Sequence, residues 1–236
     1  MLEIKNVTKK YGNKVAINNL SLEVKDGEIF GFIGHNGAGK TTIIKAIVGI
    51  HEFDEGQILI DNKSIKDFPL ECKKKIAYVP DNPDIYNSFS GIDYLNFIAD
   101  IYEVSLEKRE ELIKKYSDMF ELTESLGDLI ESYSHGMKQK LTIISALIHE
   151  PKLLVLDEPF VGLDPISSKR LKDTMRSLCD DGVCIFFSSH VLEVVEKICD
   201  RIAIIKDGRL IEVGKTKDLT KKKDLEKVFL EIENEK

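Results

Sequence analysis

Alternation of apolar and polar residues near the start of the chain predicts β-strands. Residues 2–5 and 20–24 both alternate in this way, and a period of two is typical of half-buried antiparallel strands. Residues 54–62 place an apolar segment between turn residues and predict a further strand of the same part. The amino-terminal side of the chain is therefore expected to form an antiparallel β subdomain.

Short, continuous apolar runs predict a second kind of strand, buried on both faces as in a parallel sheet. Such runs occupy 28–33, 76–79, 153–156 and 183–187. Farther along, residues 201–205 and 209–213 flank Asp207-Gly208, a dipeptide typical of a hairpin turn. These segments are expected to supply the strands of an α/β core.

Apolar residues at helical spacing predict helices between the strands. The helices are predicted at 43–48, 92–98, 112–116, 141–148, 166–179 and 225–232. Charged residues separate the apolar positions throughout 90–132, which indicates a helical insertion that forms a subdomain of its own. We expect one domain over 1–236, with core and β subdomain over about 1–85 and 151–214, a helical subdomain over about 86–150 and a short tail over 215–236.

A glycine-rich stretch after the first apolar run has the spacing of a phosphate-binding P-loop. Phosphate oxygens need many donors in a small space, and glycines let the backbone wrap closely enough to supply them. The lysine adds a charge for the β and γ phosphates, the first threonine a hydroxyl for Mg²⁺, and the following helix the positive end of its dipole. The candidate nucleotide-binding residues are Gly34, His35, Asn36, Gly37, Ala38, Gly39, Lys40, Thr41 and Thr42.

Two carboxylates, Asp157 and Glu158, end the apolar run at 153–156. The carboxyl ends of parallel strands are where ligands bind, so Asp157 suits Mg²⁺ and Glu158 suits polarisation of the attacking water. The alternative is a surface turn, since Asp-Glu-Pro is turn-like. The P-loop elsewhere in the chain favours the functional interpretation.

Three other residues each have a functional and a structural interpretation. His190 follows the run at 183–187 and can bond a phosphate oxygen, although a lone histidine there is more often solvated. Tyr11 lies at an apparent turn, where it can stack on a base or pack inward, and position alone favours packing inward. Ser134 precedes a predicted helix and can cap it or present N–H groups to an anion.

Composition narrows the class of protein. Among the 236 residues, 34 basic ones are dispersed between 41 acidic ones and the formal net charge is -7. No broad cationic face is implied, so no nucleic-acid partner is expected. No uncharged apolar stretch approaches the roughly 18 residues that span a bilayer, and residues 1–5 lack the apolar core of a signal peptide. Four scattered cysteines are expected to be small core residues.

With these motifs in this order, the chain resembles the ATP-binding subunit of an ATP-binding-cassette (ABC) transporter over nearly its whole length. The resemblance implies a P-loop NTPase core, with ATP and Mg²⁺ as cofactors and ATP hydrolysis as the activity. Tyr11 matches the aromatic residue that stacks on adenine. Gly34 to Thr42 match the Walker A loop, Asp157 the Walker B aspartate and Glu158 the catalytic base. His190 matches the switch histidine on the γ phosphate.

The resemblance also implies that the working unit is a dimer. Ser134 and Gly136 match the signature motif, which in this family contacts ATP held by the opposite subunit. Gly162 to Asp164 look like the D-loop at the dimer contact. Two copies, or this chain and a paralogous subunit, are expected to sandwich two ATP molecules head to tail.

Two departures from the family pattern matter. The signature has His135 and Met137 where the family usually has glycine and glutamine; the serine hydroxyl and backbone N–H groups remain for the phosphate. The loop that usually supplies a glutamine to Mg²⁺ has Asp81 instead. An aspartate can reach a metal, so Asp81 joins Thr41 and Asp157 as a candidate ligand.

The signature, the acidic Asp81 and the tail at 224–230 look like exporters whose membrane-spanning permease subunit is a separate chain. Such a chain is expected in the cytoplasm, peripheral on the inner face of the cell membrane. A soluble ABC ATPase that serves a protein assembly, such as iron-sulfur cluster biogenesis, is the alternative. A GTPase or kinase ranks far lower, because the chain has neither Asn-Lys-x-Asp nor an arginine-rich lid. The lysines at 215, 217, 221, 222 and 223 are expected to form a solvated face.

Overall fold

The computed structural model describes residues 1–221 and 224–234. Its strands are β1 (Leu2–Tyr11), β2 (Lys14–Val24), β3 (Ile29–Ile33), β4 (Glu55–Ile60), β5 (Lys63–Ser64), β6 (Ile76–Val79), β7 (Leu153–Asp157), β8 (Cys184–Ser188), β9 (Arg201–Lys206) and β10 (Arg209–Lys215). Its helices are α1 (Lys40–Ile47), α2 (Pro69–Lys73), α3 (Gly91–Ile101), α4 (Leu106–Met119), α5 (His135–Leu147), α6 (Pro165–Asp180), α7 (Leu192–Ile198), α8 (Thr216–Leu219) and α9 (Leu225–Asn234).

The strands form two sheets of different character. An antiparallel four-stranded sheet has the order β2-β1-β4-β5. A six-stranded sheet has the order β10-β9-β3-β8-β7-β6, in which only β10 runs antiparallel to its neighbour. This confirms the expected fold class, an α/β P-loop core with an antiparallel β part, and the predicted hairpin at Asp207-Gly208.

The six-stranded sheet divides the interior into two layers because successive side chains of a strand point to opposite faces. Phe30 and Phe32 of β3 belong to a cluster shared with α1 and the antiparallel sheet, which we call the β-side core. Ile29 and Ile33 belong to a cluster shared with α3, α4, α5 and α6, the helical-side core. Burial on both faces explains why these strands read as continuous apolar runs.

Helices of the middle of the chain and of the tail follow the predicted spacing. α3, α4 and α5 all fall within 86–150.

Other expectations from composition can be compared with the burial of the side chains. All four cysteines are buried and free, as expected. Lys215, Lys217 and Lys221 are exposed, which confirms a solvated face for them, while Lys222 and Lys223 lie outside the described residues. Over 1–221 and 224–234, no helix is long and apolar enough to cross a membrane.

Candidate active site

The candidate residues gather at the carboxyl edge of the six-stranded sheet. β7 and β8 pair in parallel with Asp157 opposite Ser188, and β3 lies on the other side of β8. The segments after these strands therefore leave the sheet side by side. The P-loop follows β3, Glu158 follows β7 and His190 follows β8. Asp81 follows β6, which pairs with the other edge of β7.

The P-loop is held against the β9–β10 hairpin and β2. The Ala38 carbonyl accepts from the Gly208 N–H at 2.9 Å. Gly39 has φ 112°, and a Cβ added there would lie 2.7 Å from the Ala16 carbonyl oxygen. Only glycine fits that combination of left-handed backbone and close approach. α1 begins at the next residue, so its free N–H groups face the loop.

Lys40 is buried within the loop. Its side chain is only 7% exposed, and its ammonium donates to the Gly34 carbonyl at 2.6 Å and to the His35 carbonyl at 3.2 Å. Burial lowers the pKa of Lys40, and the nearby carboxylates of Glu158 and Asp157 act in the opposite direction. The loop thus holds a positive charge, shielded from solvent, beside two negative ones.

A cavity of about 320 Å³ extends from the P-loop to Tyr11. The ring of Tyr11 is 46% exposed and lines this cavity, so the interpretation that position alone favoured, packing inward, is wrong. The Lys9 ammonium lies 5.1 Å from the Tyr11 ring centroid, and the His51 ring meets it edge-on at 6.3 Å. The tyrosine therefore offers an aromatic surface to the cavity that the P-loop and the acids also line.

Asp157 has one satisfied and one unsatisfied carboxylate oxygen. The residue is 1% exposed, which excludes the surface-turn alternative for it. Its Oδ1 accepts from the Ser188 hydroxyl at 2.5 Å, whereas its buried Oδ2 has no hydrogen-bond partner among the described residues. Burial raises the pKa of Asp157; the hydrogen bond from Ser188 lowers it, and the charge of Asp81 raises it further.

The unsatisfied oxygen allows a test of the expected metal. A buried, unpaired carboxylate oxygen requires a partner, and Asp157, Thr41 and Asp81 all line the same cavity. Mg²⁺ prefers oxygen ligands and binds through one or two carboxylates together with phosphate oxygens and water. The donor set present in the chain therefore fits Mg²⁺.

Glu158 and His190 form a pair at the phosphate side. Glu158 Oε2 accepts from the His190 backbone N–H at 3.2 Å and lies 2.9 Å from the His190 ring Nδ1. Glu158 has φ 49°, an uncommon conformation for a residue with a side chain, and its backbone N–H donates to the Ser188 hydroxyl at 3.2 Å. Strained backbone of this kind clusters at functional sites. Both residues line a second cavity of about 420 Å³ that also includes Gly34 and Asp81.

The structure places Ser134 and Gly136 apart from both cavities. Ser134 caps α5, because its hydroxyl accepts from the Met137 N–H at 3.2 Å; the capping alternative is therefore confirmed. The side chain is exposed, so capping leaves it open to a further partner. Within one chain, the signature residues and the P-loop do not meet.

α5 instead contacts the segment that follows Glu158. Gln139 Nε2 donates to the Pro159 carbonyl at 3.4 Å, and the Lys140 ammonium pairs with Asp164 at 3.0 Å. The ring of His135 lies against Gly162, where an added Cβ would approach its Cδ2 to 2.4 Å. His135, one of the two departures in the signature, thus packs onto the segment predicted to be the D-loop.

Replacing Gly162 with alanine is expected to lower the free energy of unfolding by about 1–3 kcal/mol. Gly162 has φ 81°, so a Cβ is strained there in addition to meeting the His135 ring. Urea unfolding of the purified chain measures the change. Gly127→Ala is the control, because nothing lies within 4 Å of its added Cβ, and it should stay within about 0.5 kcal/mol of the native chain. Equal stability of both variants would contradict this contact.

Sequence reasoning missed several residues of the two cavities. Lys14 and Ala16 line the first, and Ser189 and Phe229 line the second. Ser188, which bonds the Asp157 carboxylate and the Glu158 backbone N–H, was detectable, since it ends the strand paired with β7. Nothing in the sequence places Phe229, a tail residue, beside the P-loop.

Comparison with known proteins agrees with this geometry. The family described as ABC transporter matches residues 17–161. An uncharacterized ABC transporter ATP-binding protein of Bacillus subtilis, YhcH, is 39% identical over 92% of this chain and 71% of its own length. The linearmycin resistance ATP-binding protein LnrL of the same organism is 36% identical over 93% of this chain and 70% of its own length.

Solved structures show the same fold. An ATP-binding subunit of an ABC transporter superimposes with a TM-score of 0.95 at 31% identity, over 99% of this chain and 100% of that one. The dimeric ATP-binding cassette MJ0796, bound to ADP and Pi in a post-hydrolysis state, has a TM-score of 0.83 at 26% identity, over 92% of this chain and 99% of that one. The chain belongs to the ABC transporter family, as an ATP-binding subunit that hydrolyses ATP.

Proposed function

We propose that this chain is the motor of an exporter whose membrane-spanning permease is a separate subunit. The observation that carries the motor role is the convergence of Lys40, Asp157, Glu158 and His190 on the phosphate side of two adjoining cavities. The exporter role is supported by the signature sequence, by Asp81, and by likeness to a protein named for linearmycin resistance. The chain would work in the cytoplasm, at the inner face of the cell membrane.

ATP would occupy the first cavity with its base on Tyr11 and its phosphates in the loop from Gly34 to Thr42. Lys40 supplies the charge for the β and γ phosphates. Thr41, Asp81 and Asp157 would hold Mg²⁺, which when bound neutralises charge on the β and γ phosphate oxygens.

Hydrolysis would proceed by in-line attack of water on the γ phosphorus. Glu158 accepts the proton of that water as the new P–O bond forms and the bond to ADP breaks. In its cationic form, in which both ring nitrogens donate, His190 would bond a γ-phosphate oxygen through Nε2 while Nδ1 bonds Glu158, which keeps the ring in place. Positioning and charge supply most of the rate enhancement.

Ser134 and Gly136 would complete the site of a second subunit. They lie apart from their own P-loop, and the Ser134 side chain is exposed at the start of α5, where N–H groups favour an anion. The second subunit is another copy of this chain or a paralogue. ATP would close the dimer and hydrolysis would open it, because only the ATP-bound pair has both halves of each site.

The permease would dock at an aromatic surface formed by Tyr86, Phe89 and Phe97, beside the Asp81 loop. Their ring centroids lie 5.5 to 5.9 Å apart, Tyr86 is 59% exposed and Phe97 37%. Ile85, the residue before Tyr86, is buried in the helical-side core and anchors this part of the chain. Exposed aromatic clusters are typical of interfaces.

Tyr86→Asp is expected to abolish co-purification with the permease from detergent-solubilised membranes, because a carboxylate would be buried in an apolar interface. Basal ATP hydrolysis of the isolated chain should stay within about twofold. Leu106→Asp is the control: Leu106 is 68% exposed at the start of α4 and makes no ring contact of the aromatic surface, so it should leave co-purification unchanged. Undiminished co-purification of Tyr86→Asp would contradict this surface. Recovery of the native chain only in a membrane-free protein assembly would favour the assembly ATPase instead.

A further inference from the structure

The tail helix α9 is fixed beside α7, the helix that follows His190. Leu225, its first residue, is fully buried in the helical-side core. The Leu225 N–H donates to the Glu196 carboxylate of α7 at 3.1 Å. Toward the other end of α9, the Ile232 carbonyl accepts from the Lys206 ammonium at 2.8 Å. Contacts near both ends therefore hold α9 in one position along the core.

Phe229 brings α9 to the second cavity. Its half-buried ring packs against the helical-side core and lines the cavity that contains Glu158, Ser189 and His190. Leu192, the first residue of α7, packs against the same core and lines the same cavity. The Phe229 ring, from the tail, thus forms part of the wall of the cavity on the phosphate side of the site.

The segment that carries His190 is held to Glu158 by the His190 backbone N–H and ring, and has few other restraints among the described residues. The His190 side chain is 59% exposed, and its ring bonds only to Glu158 among the described residues. The next residue, Val191, is 40% exposed and precedes α7 without a side-chain cap. Its N–H donates to the Ser189 hydroxyl at 3.0 Å. Neighbouring side chains must therefore supply much of what orients this segment.

We propose that Phe229 is a positioning residue for ATP hydrolysis: its ring keeps residues 189–192, and with them His190, against Glu158, and limits water at the phosphate end of the cavity. Phe229 touches no reacting atom and acts through the segment beside it. The inference rests on the proposed roles of Glu158 and His190. A displacement of about 1 Å in such a constellation can lower a rate by roughly 100-fold.

Phe229→Ala is expected to lower kcat for ATP hydrolysis roughly tenfold, while KM for ATP stays within about twofold. The split is expected because the variant leaves the P-loop and Tyr11 intact and disturbs only the phosphate side. Phe229→Leu, which keeps apolar bulk, should recover kcat to within about threefold of the native value. Phosphate release by the purified full chain measures all three rates.

Val228→Ala is the matched control. Val228 packs against the core from the same helix but lies outside the set of residues that lines the cavity. It should lower the thermal unfolding midpoint less than Phe229→Ala does, because fewer apolar atoms are lost, and leave kcat within about twofold. If Val228→Ala and Phe229→Ala have the same kcat, or if Phe229→Ala raises KM instead of lowering kcat, the inference is wrong.

The Glu158→Gln variant separates this inference from the proposed function. Slow hydrolysis by Glu158→Gln with an unchanged kcat in Phe229→Ala would overturn the role of Phe229 alone. Full hydrolysis by Glu158→Gln would overturn the proposed chemistry, and the role of Phe229 with it.

Discussion

Replacing Glu158 with glutamine is expected to lower kcat for ATP hydrolysis by about 100-fold or more and to leave ATP affinity within about threefold. The amide keeps the size of the side chain and can still accept a hydrogen bond from the His190 N–H, which lies 3.2 Å from Glu158 Oε2. It cannot take a proton from the attacking water. Phosphate release measures the rate, and isothermal titration with a non-hydrolysable ATP analogue measures the affinity.

The same variant is expected to accumulate as a dimer in the presence of ATP. If Ser134 and Gly136 complete the partner's site, slow hydrolysis leaves both composite sites occupied and the pair closed. Light scattering should show twice the monomer mass with ATP and the monomer with ADP. The control is Glu193→Gln, an exposed carboxylate in the first turn of α7, which should hydrolyse ATP at the native rate. A Glu158→Gln chain that stays monomeric with ATP would contradict the pairing of Ser134 with the opposite P-loop.

The local sequence pattern was sufficient to predict most of the fold, because apolar periodicity and motif spacing depend only on residues that are neighbours in the sequence. Leu154 and Leu156 face one core while Leu153 and Val155 face the other, so the run reads as continuously apolar and predicts a central strand. The P-loop likewise needs residues at fixed short spacing. Such features are visible before any tertiary contact is known.

Features that depend on contacts distant in sequence could not be predicted from local pattern, and only the family resemblance placed Tyr11 at the nucleotide. Tyr11 faces the cavity because of how β1 and its turn sit above the P-loop, which its own neighbours do not encode. The contact of His135 with Gly162 joins the first residue of α5 to the loop that precedes α6. Phe229 reaches the site only because α9 packs along α7. Each of these positions is set by packing between elements, where sequence spacing carries no information.

Replacing Lys40 with alanine is expected to weaken ATP binding by about 100-fold or more and to reduce hydrolysis below detection. A unit charge about 4 Å from a phosphate oxygen is worth on the order of 4 kcal/mol near a protein surface, and the 7% exposure of Lys40 limits screening by solvent. Lys40→Arg should fail as well, because a planar guanidinium cannot replace a compact ammonium bonded to the Gly34 and His35 carbonyls. Titration with a fluorescent ATP analogue measures the affinity.

Unfolding without nucleotide distinguishes lost binding from lost structure. Burial already lowers the pKa of Lys40, which means that keeping its ammonium charged in the loop costs desolvation free energy. The alanine variant has no such cost. The free energy of unfolding of Lys40→Ala is therefore expected to change by no more than about 1–2 kcal/mol, since the lost carbonyl bonds are offset in part. Lys45→Ala, in the last turn of the same helix, should bind ATP normally. ATP affinity in Lys40→Ala equal to that of Lys45→Ala would show that the loop from Gly34 to Thr42 does not hold the phosphates through Lys40.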